Sequence, residues 1–303
     1  MKENIIEIEN IEKNFNRKTV LKDLNFSVQK GVVYGLLGRN GVGKTTTIRI
    51  LLGLLFPDRG QTRVLGLNSQ RDGEKIRQKA GYVAEGQQLY QWMSINEILW
   101  FNGSFYRNWD ADYAGSLLKR FELDPKEKIR NLSRGMLSKL SLTLALGHRP
   151  ELLILDEATA GLDAIVRREF LDSIVDLVNS EGHSVLISSH LLSDMERIVD
   201  QIGILRDGHI TESGNLEDFK NSYRKVKLSF AEPPENEFKL PDTISEKHSG
   251  REVLFIFKNY SEQKEKQLNN LDAKNIEFID MSLEDLFTEC LVLEESNEEI
   301  KKC

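Results

Sequence analysis

The sequence predicts an α/β fold, a mostly parallel β-sheet flanked by helices, with a smaller α+β region appended at its C-terminal side. Three observations carry this expectation. Continuous apolar runs recur at Val32 to Leu37, Leu152 to Leu155 and Val185 to Ile187, the mark of strands buried on both faces. Each run precedes a segment of helical pattern, giving the βαβ rhythm of a parallel sheet. Past about Lys220 the texture changes to Pro233-Pro234, Pro241 and scattered charges, which places a boundary near residue 220.

Taken in order, Ile5, Ile6 and Ile8 begin one strand, and Leu24, Phe26 and Val28 alternate with polar residues in another. Both read as edge strands with one wet face, an N-terminal antiparallel subdomain. The buried run Val32 to Leu37 leads through a glycine-rich turn into a helix expected over Thr45 to Leu55 and stopped by Pro57. Gly81 to Ala84 reads as a short strand. Ser94 with Glu97 forms a capping box for a helix carrying Ile98, Leu99, Phe101 and Phe105. Asp110 caps the next helix, with Leu117, Leu118 and Phe121 on one side, so residues 85 to 149 form a helical insert. Asp207-Gly208 between Ile204-Leu205 and Ile210 is a hairpin turn that closes the core. In the last region, 221 to 303, Val226 to Phe230, Val253 to Phe257 and Phe278 with Ile279 and Met281 are strand-like. Ser282 with Asp285 opens a terminal amphipathic helix through Leu283, Leu286, Phe287 and Leu291, with a solvated tail from Glu294.

The chain has 303 residues, 40% apolar and 29% charged, a balance that supports a large core plus an appendage. A net charge of -7 argues against a broad basic face for nucleic acid. Cys290 and Cys303 lack metal-ligand spacing and fit a reducing interior as two idle thiols. Met1 to Asn10 mixes acidic and basic residues with its isoleucines, unlike a secretory signal. The apolar runs fall short of the roughly 18 to 20 residues needed to cross a bilayer, so a membrane role requires a separate spanning partner, and a cytoplasmic location is expected.

Gly38-Arg39-Asn40-Gly41-Val42-Gly43-Lys44-Thr45, continuing into Thr46, fits the phosphate-binding P-loop pattern and lies between a buried strand and a helix, the context that pattern requires. Glycines let successive backbone N–H groups turn inward around phosphate oxygens, and the helix N-terminus adds partial positive charge. Lys44 reaches the terminal phosphates and Thr45 offers a hydroxyl to Mg²⁺. Leu152 to Leu155 ends in Asp156-Glu157, as a Walker B strand does. Asp156 would hold Mg²⁺ through its water shell, and Glu157 would polarise the attacking water. The core is therefore expected to be a P-loop NTPase with a RecA-like sheet.

Between the two elements, Leu132-Ser133-Arg134-Gly135-Met136 opens a helix whose start can present N–H groups to an anion. The order of P-loop, Glu85 turn, helical insert, Leu132 to Met136, Asp156-Glu157, Ala160-Gly161-Leu162-Asp163 and His190 resembles the ATP-binding subunits of ABC transporters over roughly residues 4 to 215. That resemblance implies a set of roles. Two such domains pack head to tail, so Ser133 and Gly135 would touch the γ-phosphate held by the partner's P-loop. His190 matches the switch histidine, and Asp163 matches the loop coupling the two sites, a role compatible with capping the next helix. Phe15 falls where an aromatic ring stacks on adenine; an ordinary core residue on an edge strand is the competing role.

Three positions depart from the family pattern. Glu85 replaces the usual glutamine after the third core strand, so a carboxylate approaches Mg²⁺ and adds negative charge beside the phosphates. Arg134 and Met136 replace the signature's second glycine and final glutamine, and Arg134 is available to reach a phosphate or a partner carboxylate. With Glu85, this pattern and the terminal Ser282 to Phe287 resemble exporters of drugs, antimicrobial peptides or ions. The implied partners are a membrane-spanning permease subunit, with Leu89, Tyr90, Trp92 and Met93 as docking candidates, and a second ATP-binding subunit, identical or paralogous. The implied place is the inner face of the membrane. Two other readings are a soluble ATPase of the same class acting on ribosome or DNA, and a regulatory ATP-binding module with little turnover. The first is disfavoured by the absence of a second core or sustained heptads, the second by Lys44, Asp156, Glu157 and His190.

Overall fold

The computed structural model describes residues 3–288 apart from 17, 235–237, 239, 270 and 272. The terminal thiols Cys290 and Cys303, Leu291 and the tail from Glu294 lie outside the described residues. The chain divides into two compact units, Met1–Ser213 and Gly214–Cys303.

The first unit opens with β1 (Asn4–Phe15) and β2 (Lys18–Gln29), an antiparallel pair in which Ile6 faces Val28 and Ile8 faces Phe26. Then come β3 (Val33–Leu37), buried throughout, and α1 (Lys44–Leu51). The helix ends at Leu51, short of Leu55. Gly53 takes a left-handed φ of 64 and lies so close to Ser69 that a Cβ would meet its carbonyl at 2.4 Å, so the chain leaves the helix at this glycine before Pro57 can act. Next, β4 (Arg59–Val64) pairs antiparallel with β1 and with the two-residue β5 (Leu67–Asn68). These strands form a four-stranded sheet in the order β2-β1-β4-β5.

Helix α2 (Gly73–Lys79) leads into β6 (Ala80–Val83). The insert then supplies α3 (Ile95–Gly103), α4 (Ala111–Arg120) and α5 (Arg134–Leu146). Ser94 and Glu97 form the reciprocal capping box at the start of α3, and Asp110 caps α4 by accepting from Tyr113 N–H at 2.8 Å. Helix α3 stops before Phe105, which is exposed; Gly103 instead lies against the Trp109 ring, 2.8 Å from where its Cβ would be. Beyond the insert run β7 (Leu152–Asp156), α6 (Ala164–Glu181), β8 (Ser184–Ser189), the short α7 (Leu192–Met195), β9 (Gln201–Arg206) and β10 (His209–Asn215). Asp207 and Gly208, at φ 47 and 87, make the tight turn between β9 and β10.

The central sheet has the order β10-β9-β3-β8-β7-β6, with β9, β3, β8, β7 and β6 parallel. Its core, including Leu36, Ile48, Leu152, Ile154 and Leu186, is continuous with that of the N-terminal sheet through Ile6, Leu21 and Val28. This order puts the C-terminal ends of β3, β8 and β7 side by side, the edge at which open α/β sheets bind ligands.

The second unit contains α8 (Leu216–Ser222), β11 (Tyr223–Ser229), β12 (Thr243–Ser249), β13 (Glu252–Lys258), α9 (Glu262–Asn269) and β14 (Asn275–Ile279). Its sheet is antiparallel in the order β12-β13-β11-β14. Val226, Leu228, Val253, Phe255, Phe257 and Leu268 form its core. Met281 lies past β14 and is buried. Ser282 and Asp285 cap each other's backbone at the start of the helical residues 283–288.

Candidate functional site

Strand β3 delivers the P-loop. Gly43 holds φ 117, and a Cβ there would lie 2.7 Å from Leu21 Cδ2, so only glycine fits the turn that starts α1. Lys44 is folded back over this turn: its Nζ donates to the carbonyl of Gly38 at 2.6 Å and of Arg39 at 3.3 Å, and lies 2.9 Å from Glu157 Oε1. Both side chains are buried, at 5% and 6% exposure. A lone charge would be strongly disfavoured there, so each requires the other.

Strand β7 delivers the acidic pair. Asp156 Oδ1 accepts from Thr45 Oγ1 at 3.1 Å and from Ser188 Oγ at 2.8 Å. Glu157 comes next with a left-handed φ of 48, a backbone state that non-glycine residues hold only when their surroundings fix it. Its N–H donates to Ser188 at both Oγ and the carbonyl, at 3.1 and 3.2 Å. Strand β8 then delivers His190, whose Nδ1 lies 2.7 Å from Glu157 Oε2. A carboxylate only accepts, so Nδ1 carries the proton of this bond. Ser189 Oγ accepts from Leu191 N–H at 2.9 Å and fixes the turn that carries the histidine.

A cleft of about 400 Å³ runs along these groups, lined by Phe15, Asn40, Gly41, Lys44, Thr45, Thr46, Glu85 and Glu157 among others. Phe15 is 44% exposed, with Lys13 Nζ 5.5 Å from its ring centroid, so it is not a core residue. Glu85 is exposed in the loop after β6. Tyr82, on β6, carries no motif that would single it out in the sequence; burial first and the Asp156 carboxylate second push its phenol up to about 12.

Residues Ser133, Gly135 and Asp163 do not line this cleft. Ser133 caps α5 by accepting from Met136 N–H at 3.2 Å, which uses an oxygen lone pair and leaves its O–H proton available to an anion. Gly135 is buried against α6, and a Cβ there would meet Val166 Cγ1 at 2.4 Å. Arg134, whose expected targets are a phosphate or a partner carboxylate, points within its own chain to the Gly161 carbonyl at 3.5 Å. Asp163 caps α6 through Ile165 N–H at 3.1 Å and Val166 N–H at 3.0 Å.

The arrangement can bind a polyphosphate at α1 and a hard cation beside it. Thr45 and Asp156 converge as oxygen donors, which suits Mg²⁺. Among the described residues no cluster of three or more His, Cys, Asp or Glu is placed to hold a metal by itself. Mg²⁺ takes few protein carboxylates and completes its shell with water and phosphate. Among the described residues no helix is long and apolar enough to cross a membrane. Tyr90 and Trp92, 51% and 66% exposed, stand 6.0 Å apart, and Tyr90 packs edge-on against Phe101.

The family model described as "ABC transporter" matches residues 21–160. The chain is 35% identical over 226 residues to the "ABC transporter ATP-binding protein YtrB" of Bacillus subtilis (strain 168), covering 75% of this chain and 77% of the relative. It is 35% identical to the "Bacitracin transport ATP-binding protein BcrA" of Enterococcus faecalis, covering 74% and 73%. A solved structure described as "Structure of ATP binding subunit of ABC transporter" superposes with a TM-score of 0.65 at 29% identity, covering 72% of this chain and 92% of that one.

Proposed function

This chain belongs to the ABC transporter family as an ATP-binding, ATP-hydrolysing subunit, and we propose that it powers export through a separate membrane-spanning partner. One observation carries the reading: Lys44, Thr45 and Glu157 line one cleft, with Asp156 bonded to Thr45 and His190 to Glu157 behind it, while Ser133 and Gly135 neither line the cleft nor bond to these residues. A second copy, or a paralogue, packed head to tail would bring its own Ser133 to the phosphates and complete the enclosure.

In this scheme Phe15 stacks on the adenine, the N–H groups of the P-loop and Lys44 take the phosphates, and Glu157 polarises the attacking water. His190 holds Glu157 through Nδ1–H, and Asp163 lies in the loop facing the other subunit. Mg²⁺ would be held by Thr45 and Asp156, with Glu85 nearby, and would neutralise charge on the terminal phosphates. ATP favours the closed pair because only that pair touches the γ-phosphate from both sides; its loss on hydrolysis reopens the pair. Tyr90 and Trp92 are the docking residues for the membrane partner, which holds the assembly at the inner face of the membrane. The export direction is supported by likeness to a bacitracin transport protein. Residues 221–303 form an accessory region.

Sedimentation of the full chain tests the scheme. With Glu157→Gln and MgATP the mass should double, and adding Ser133→Ala or Lys44→Ala should return it to that of a monomer. A mass unaffected by nucleotide would end the head-to-tail proposal for like copies and require a paralogue.

A further inference from the structure

Ser188 is 1% exposed and has no part in the proposed scheme. It stands directly opposite Asp156 in the parallel register of β7 and β8, and its hydroxyl touches both acidic residues. The Glu157 N–H can only donate, so Ser188 Oγ accepts from it at 3.1 Å. The single hydroxyl proton is then free for Asp156 Oδ1, 2.8 Å away. One oxygen thus joins the carboxylate that would hold Mg²⁺ to the backbone of the residue that would activate water. Asp156 Oδ1 has a second donor in Thr45, on the P-loop side, so the hydroxyl also fixes how the acidic pair faces α1.

We propose that Ser188 is a positioning residue for hydrolysis, setting the Asp156 carboxylate and the left-handed backbone of Glu157 relative to each other through its hydroxyl. The inference rests on the roles given to Asp156 and Glu157 in the proposed function. The Ser188 carbonyl also accepts from Glu157 N–H, at 3.2 Å, and an alanine leaves that contact in place. Loss of the hydroxyl therefore leaves the turn folded but lets the two carboxyl groups drift apart. Groups placed well only within about half an ångström lose rate rather than binding when their support is removed.

The test uses the full chain with Ser188→Ala, Ser188→Cys and Ser188→Thr. Turnover, thermal midpoint and affinity for a fluorescent ATP analogue, with and without Mg²⁺, are measured for each. Support groups behind reacting side chains typically matter by about 10- to 100-fold, so alanine and the weakly bonding but near-isosteric cysteine should lower kcat roughly that much. Their Mg²⁺-free nucleotide affinity should match the parent and their thermal midpoint should fall by no more than the loss of one buried hydrogen bond, while the Mg²⁺ concentration at half-saturation rises. Threonine, which keeps the hydroxyl, should restore turnover. Parental kcat in both the alanine and cysteine variants would overturn the proposal, as would loss of binding and stability in step with rate. Glu157→Gln separates the levels: if it too keeps parental turnover, the assignment of the hydrolytic carboxylate fails; if only the Ser188 variants do, this inference alone fails.

Discussion

Lys44 Nζ and Glu157 Oε1 lie 2.9 Å apart inside the site, both side chains buried. The cation that should meet the terminal phosphates is satisfied by the carboxylate that should activate water, and phosphate must take its place. Glu157→Gln removes both the carboxylate proposed to activate water and the charged competitor for Lys44. Its turnover should fall about 100- to 10,000-fold, the range for a lost general base, while ATP affinity stays equal or tightens. Steady-state ATPase rates and direct nucleotide titration read the two effects separately, and a weaker affinity would mean that the ion pair does not compete with phosphate.

Gly135 has no room for a methyl group, because Val166 Cγ1 would lie 2.4 Å from it. Gly135→Ala should destabilise the chain by about 1–3 kcal/mol through overpacking. Adding Val166→Ala should recover most of that loss, a coupling expected only of residues in contact. Urea unfolding of the two single variants and the double variant measures it; additive losses would show that the strain lies elsewhere.

His148 lies buried with its ring stacked 4.0 Å from Tyr106. Burial lowers its pKa from 6.5 to about 4, with the nearby Ala80 backbone opposing the shift. The folded value is the depressed one, so the unfolded chain takes up a proton first as pH falls. Stability from neutral His148 is complete above pH 6.5 and is lost progressively down to about pH 4, a change of roughly 2–3 kcal/mol. His148→Phe keeps the stacked ring and should flatten this limb when denaturant midpoints are compared at neutral and acidic pH.

Phe15 is exposed beside the cleft and meets Lys13 across its face. Phe15→Ala should weaken ATP binding by about 0.5–1.5 kcal/mol, the value of an aromatic pair beyond its buried area. Phe15→Trp should bind like the parent and give a fluorescence change on adding ATP that is absent with inorganic triphosphate. Equal signals from both ligands would remove adenine from this ring.

Much of the fold and site is legible in the sequence because the chemistry is local. The P-loop, the Asp156-Glu157 strand end and the capping pairs Ser94 with Glu97 and Ser282 with Asp285 each sit within a few residues of one another. Elements whose existence depends on distant partners leave no such trace: β4 and β5 are polar pieces that become strands by pairing back to β1 and to each other. Likewise β12 carries Glu246, Lys247 and His248 and, among the described strands, pairs with β13 alone. Sequence pattern overextends helix α1 because Pro57 is a louder signal than Gly53, whose close approach to Ser69 appears only after folding. Ser188 reads as the polar end of an apolar strand, since nothing in Ile187-Ser188-Ser189-His190 says that the neighbouring strand will set Asp156 opposite it.

The beginnings of α5 and α6 are clasped to each other. Gly135 lies against Val166, Arg134 reaches the Gly161 carbonyl, and Lys139 meets Glu169 at 3.1 Å. A pull on one helix tip is therefore felt at the other, and the chain from Glu157 to Asp163 is the short strap between that tip and the carboxylate proposed to activate water. In the proposed scheme, a partner gripping Ser133 from outside would tug this strap, giving the molecule a mechanical line from that contact to the acid assigned to hydrolysis.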